Sequence, residues 1–194
     1  KHPFLKDIAS FKKPILLSTG ASTIDEIKEA IAVIKGVDEK ANICIMQCTL
    51  CYPTEYEDAH LNSLSHLKKE FPEFLLGLSD HTLGYHAPLA SIALGARVIE
   101  KHYTVDKTLP MSADHWLSID PDELELLCKF SPQILNSLGS FEKKKHPCED
   151  KTHSFARRSI VTTKNISKGE IIEASALACK RPGTGIAPAC LTCD

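Results

Sequence analysis

Short, nearly continuous apolar runs alternate along the chain with stretches whose apolar residues recur at helical spacing. Pro14-Ile15-Leu16-Leu17-Ser18 has the length and composition of a buried strand. Ser22-Thr23-Ile24-Asp25-Glu26 then opens a helix, with Ser22 as the expected N-cap and Ile27, Ala30, Ile31 and Ile34 on its apolar face. Asn42 to Met46 predicts a second strand, Leu61 to Phe71 a helix, and Phe74 to Leu78 a third strand. Tyr85 to Leu94 predicts a helix with Pro88 in its first turns. Arg97 to Glu100 is a fourth strand, and Pro121 to Leu138 the helix after it, opened by Asp120 and Pro121. Strands of this kind, each followed by a helix, predict an α/β fold with a parallel sheet covered on both faces. Four such units are too few to close an ordinary eight-stranded barrel.

Beyond Gly139 the pattern changes. Residues 140–154 are polar and include the run Lys143, Lys144 and Lys145, which reads as a solvated linker. From Phe155 a new pattern starts. Ser159 to Thr163 predicts a strand, Ser167 to Glu170 a turn, and Ile171 and Ile172 a continuation. Residues 155–194 are few for an independent core, so they read as the start of an incomplete second domain.

Composition narrows the classes. The chain has 194 residues, 43% of them apolar and 25% charged, which suits a globular protein. A net charge of -2 argues against binding to nucleic-acid phosphates. No apolar run has the length of a membrane span and no signal-peptide pattern opens the chain, so the expected location is cytoplasmic. Eight cysteines include two C-x-x-C pairs, Cys48/Cys51 and Cys190/Cys193. One reading is a zinc site built from both pairs. The other, which the distance between them favours, treats Cys44 and Cys48 as small buried hydrophobes. A disulfide framework is not expected without a secretory signal.

Candidate chemistry gathers after the predicted strands. His81 follows the third and His102 the fourth, and neighbouring parallel strands end on the same face, so both imidazoles can converge on one metal ion. The alternative is two ordinary core or surface histidines. Glu100 shares a strand face with His102 and either ligates or orients there, or forms a buried ion pair with Lys101 or Arg97. Ser18-Thr19-Gly20-Ala21-Ser22 makes a strand-to-helix turn of small hydroxyl residues, suited to a phosphate or simply to a capped turn. Tyr52 either offers its hydroxyl to a polar ligand or packs beside its turn. Asp114 lies in a loop after the fourth strand, where a carboxylate suits a substrate hydroxyl, a helix cap or plain solvent.

Six motifs, in order, resemble the sialic acid (nonulosonic acid) synthase family. They are KPILLSTG from Lys13, QCT-x-x-YPT from Gln47, GLSDHTLG from Gly77, ALGARVIEKH from Ala93, SADHWLS from Ser112 and KRPGTG from Lys180. The resemblance implies the second half of a (β/α)8 TIM barrel in residues 1–139, then a truncated antifreeze-like (SAF) domain. It implies that His81 and His102 bind a divalent metal, Mn2+ or Mg2+, and that Ser18 and Ser79 hold the phosphate of phosphoenolpyruvate. Tyr52 and Asp114 would contact an amino sugar, Asp114 in a catalytic role. Phe155 and the catalytic Arg181 would reach the site of the partner subunit in a domain-swapped homodimer.

The implied reaction condenses phosphoenolpyruvate with an N-acetylmannosamine-type sugar. Carbon 3 attacks the metal-polarised aldehyde, water adds at carbon 2, and phosphate leaves. Two departures stand out. Leu50 occupies a position that is polar in many members, and the first four strands are missing, so the isolated segment is expected to be inactive. Another phosphoenolpyruvate-condensing aldol-type synthase and a non-catalytic sugar-binding fragment are the rival readings.

Overall fold

A computed structural model describes residues 2–110 and 112–192. The chain divides into two compact units, Lys1–Gly139 and Ser140–Asp194.

The first unit opens with α1, His2–Ser10. The apolar pattern did not predict this helix. It is short and mostly exposed; Phe4, Leu5, Ile8 and Ala9 recur at helical spacing, and of these Ala9 and part of Leu5 reach the core. There follow β1 (Ile15–Ser18), α2 (Ile24–Lys35), β2 (Ile43–Cys48), α3 (Ser63–Glu70), β3 (Leu75–Asp80), α4 (His86–Ala93), β4 (Ala96–Lys101) and α5 (Pro121–Ser137). The strands form one parallel sheet in the order β1-β2-β3-β4.

Thr23, not Ser22, is the N-cap of α2. Its hydroxyl accepts from the Glu26 amide at 3.3 Å, while the Glu26 carboxylate accepts from the Thr23 amide at 2.7 Å. The reciprocal pairing calls for a Glu or Gln three residues on; Thr23 has Glu26 there, whereas Ser22 has the shorter Asp25. Asp120 and Glu123 form the same box at the start of α5. Pro88 falls in the first turn of α4, where a missing N–H costs no helical bond, and it is buried there.

Register sorts the sheet into two faces. Leu17, Ile45, Leu76 and Ala96 are aligned across the strands and meet Ile31, Ile34, Leu64, Leu67 and Phe71 in one apolar cluster. The opposite face carries Leu16, Cys44, Leu75, Met46, Gly77 and Val98. Cys44 and Cys48 are buried, as small hydrophobes should be, while Cys51 is exposed. Gly77 is required by close approach, since a Cβ there would lie 2.8 Å from the Val98 carbonyl oxygen and 3.1 Å from the Met46 side chain. This face is uncovered at the lower end. Leu16 is 54% and Leu75 60% exposed, and both line an open hollow of about 430 Å3 with Pro14, Cys44 and Val98.

The second unit holds a 3-10 turn at Pro147–Glu149, α6 (Asp150–Ala156), β5 (Ser159–Thr162) and β6 (Leu177–Lys180). The stretch read as a linker is therefore partly helical. β5 pairs antiparallel with β6, Ser159 opposite Lys180. The strand was expected to continue at Ile171 and Ile172. These residues are instead irregular and exposed, and the pairing strand starts six residues later, after a 3-10 turn at Ala174–Ala176. Cys193, and with it the second C-x-x-C pair, lies outside the described residues. No described helix is long and apolar enough to cross a membrane.

Candidate active site

Ser18, Cys48 to Tyr52, Ser79 to His81, and His102 all sit at the carboxyl ends of the four parallel strands. Strand alternation puts Ser18, Ser79 and Glu100 on the face away from the helices. Ser79 is buried and Ser18 exposed, with β2 between their strands. The two hydroxyls share a face and an end, but no hydrogen bond links them.

His81 is tightly held. Its Nδ1 lies 2.9 Å from the carbonyl oxygen of Thr49, which can only accept, so the ring donates from Nδ1 and a neutral ring keeps its lone pair on Nε2. The His81 carbonyl oxygen accepts from the Thr54 amide at 2.9 Å, and the Thr54 hydroxyl donates to the Cys51 carbonyl oxygen. The 49–54 loop thus wraps the ring. Tyr52 packs on it, with ring centroids 4.1 Å apart, and lies 5.7 Å from His102. Loss of solvent raises the Tyr52 phenol above its ordinary pKa, and Cys48, Asp114 and Glu100 add to the shift. The phenol stays a donor throughout the neutral range.

His102 stands edge-on to His81 at 5.2 Å between centroids. Its Nδ1 is 3.5 Å from Asp114 Oδ2. The loop carrying Asp114 is built from side-chain bonds. The Asp114 amide donates to Ser112 Oγ, Ser118 Oγ donates to the Asp114 carbonyl oxygen at 2.7 Å, and His115 Nδ1 lies 2.8 Å from Thr104 Oγ1. The Ile119 amide donates to the His102 carbonyl oxygen, closing the loop beside β4.

Glu100 forms neither expected ion pair. Lys101 pairs with Asp80, 2.8 Å away, and Arg97 donates to the carbonyl oxygens of Ile92 and Ala96. Glu100 itself is exposed. Lys101, Asp80 and Thr82 form a buried cluster that sequence reasoning missed. The signal lay in the register, which sets Asp80 opposite Lys101. Phe155, in α6, and Arg181, just past β6, are both exposed within the second unit.

The donors fit a divalent cation. His81 offers a free Nε2, His102 stands beside it, and a carboxylate adjoins His102. Among the described residues no three His, Cys, Asp or Glu side chains close round one point.

A parallel α/β sheet with its candidate groups at the strand ends, followed by a small β unit, defines the class of protein. The model of the NeuB family matches residues 1–143, and that of the SAF domain residues 157–192. The chain belongs to the NeuB family. It is 42% identical over 185 residues to N,N'-diacetyllegionaminic acid synthase of Campylobacter jejuni, covering 95% of this chain and 55% of that protein. It is 34% identical to human N-acetylneuraminate-9-phosphate synthase, covering 92% and 49%. Among solved structures, the N-acetylneuraminic acid (sialic acid) synthetase of Leptospira borgpetersenii superposes with a TM-score of 0.71 at 33% identity, over 77% of this chain and 51% of that one. The chain spans about half the length of the curated relatives it matches.

Proposed function

We propose that this chain carries half of the active site of a nonulosonic acid synthase, which condenses phosphoenolpyruvate with an N-acetylmannosamine-type sugar and releases phosphate. The observation that carries the reading is the pair of imidazoles 5.2 Å apart at the ends of β3 and β4, one with its Nε2 left free. The four-stranded sheet is the second half of a (β/α)8 barrel in this reading, and the apolar Leu16 and Leu75 left exposed on the face away from the helices support that. The names of the relatives support the reaction class.

His81 and His102 hold a divalent ion, Mn2+ or Mg2+, which when bound supplies Lewis-acid polarisation of a carbonyl. The hydroxyls of Ser79 and Ser18 donate to phosphate oxygens. The Tyr52 phenol, kept protonated by its surroundings, donates to the sugar. Asp114 accepts from a sugar hydroxyl and can take a proton as it does so. Arg181 and Phe155 serve the partner's site in a swapped homodimer, where a guanidinium offers several donors to polar substrate groups. The SAF match over residues 157–192 favours this reading over other phosphoenolpyruvate-condensing synthases.

Phosphate release tests it, measured on this chain joined to a first barrel half, with phosphoenolpyruvate and either N-acetylmannosamine or a 2,4-diacetamido-trideoxy sugar. Turnover should need divalent metal and vanish in His81→Ala and His102→Ala. Mixing Arg181→Ala with His102→Ala chains should restore part of it through mixed dimers. Full turnover by the double histidine variant in chelator would overturn the reading.

A further inference from the structure

Asp80 and Lys101 immediately precede the two histidines and are register partners across β3 and β4. Alternation turns their side chains to the helix-covered face, opposite the imidazoles. Both are buried, 3% and 5% exposed, and Thr82 is wholly buried. The Asp80 carboxylate accepts from Lys101 Nζ at 2.8 Å, from the Thr82 hydroxyl at 2.9 Å and from the Thr82 amide at 3.2 Å. Lys101 Nζ also donates to the Thr82 carbonyl oxygen. One ammonium group thus ties down both residues that flank His81, while its own backbone leads directly into His102.

Stability alone does not account for such a group. A buried ion pair is commonly no better for stability than an apolar pair of the same volume, because desolvating two charges offsets their attraction. An apolar pair could fill this space. It could not fix the backbone on both sides of His81 by directed bonds. The Thr49 and Thr54 contacts then set the ring that this backbone presents.

We infer that the Asp80–Lys101–Thr82 cluster is a positioning device, which holds the His81 and His102 imidazoles at the separation and ring orientation needed to share one divalent ion. The inference rests on the synthase reading above for the identity of that ion. The cluster acts through the histidines and touches no substrate.

The experiment uses the full chain, with Mn2+ alone as the probe. Asp80→Leu/Lys101→Met removes both charges together, so no lone buried charge remains. Thr82→Val is the milder variant, removing one hydroxyl at constant shape. Electron paramagnetic resonance of free Mn2+ should show binding weakened by about 10–100-fold in the double variant, the range typical when groups behind metal ligands are lost, and less in Thr82→Val. Nitrogen chemical shifts of metal-free protein should show His81 in the Nδ1–H tautomer in the wild type and in mixed tautomers in the variants. Folded variants that bind Mn2+ as the wild type does and keep the tautomer overturn the inference. So does failure of both variants to melt cooperatively, since the cluster would then serve stability only. If the wild type binds no Mn2+, the metal of the synthase reading fails, and the tautomer shifts still decide whether the cluster orients His81.

Discussion

Tyr52 packs on His81, beside His102 and near two carboxylates, so its phenol reports on the whole group. Partial loss of solvent and the negative neighbours both disfavour phenolate. The folded-state pKa therefore lies above the unfolded value of about 10. Its contribution to stability is complete below that unfolded value and is lost as pH rises through the folded one. A phenolate absorbance titration, with Tyr52→Phe subtracted, should place Tyr52 above its unfolded value. Asp114→Asn should move it part of the way back, and no movement would mean that Asp114 does not face Tyr52 in solution. His81, His102 and Tyr52 were legible as candidates because each follows an apolar strand run. The Asp80–Lys101 pair was not, because the residues are far apart in sequence and only strand register makes them partners.

Helix ends show a finer version of the same limit. Every helix of the first unit after α1 was legible from periodicity to within a few residues, yet the N-cap of α2 is one residue past its expected place. Thr23→Ala should cost about 1 kcal/mol in a denaturant melt, the usual loss for an N-cap threonine. Ser22→Ala should cost almost nothing, because its hydroxyl makes only a 3.5 Å contact with the Gly20 carbonyl oxygen. Equal losses would remove the distinction. The Asp120 carboxylate at the start of α5 is held below its ordinary pKa first by the Glu123 amide and also by Lys107. Its contribution is present at neutral pH and lost as pH falls through the lowered value. In the second unit β6 went unseen, since Leu177 to Lys180 is short and mixed in polarity and becomes a strand by pairing with β5.

In the first unit one sheet face is packed under helices and the other is open at the end that carries Leu16 and Leu75. Both stand exposed there, and β1 presents an unpaired edge in the sheet. The 194-residue chain on its own should therefore associate in analytical ultracentrifugation. Replacing Leu16 and Leu75 together by lysine should reduce that association without loss of the helix-covered core, which lies on the other side of the sheet. A monodisperse, cooperatively melting monomer of the unaltered chain would count against an apolar face in need of cover.

The amino-acid sequence by itself determined the alternation of strand and helix, the parallel sheet this implies, and the two histidines after successive strands. These are local properties, because periodicity and capping act over a few residues. The tertiary structure alone decided that His81 donates from Nδ1, that Asp114 comes beside His102, and that Lys101 serves Asp80 rather than Glu100. Those outcomes depend on register and on loops folding back across strands. Partners are then chosen by distance in space, and nothing local in the chain encodes it.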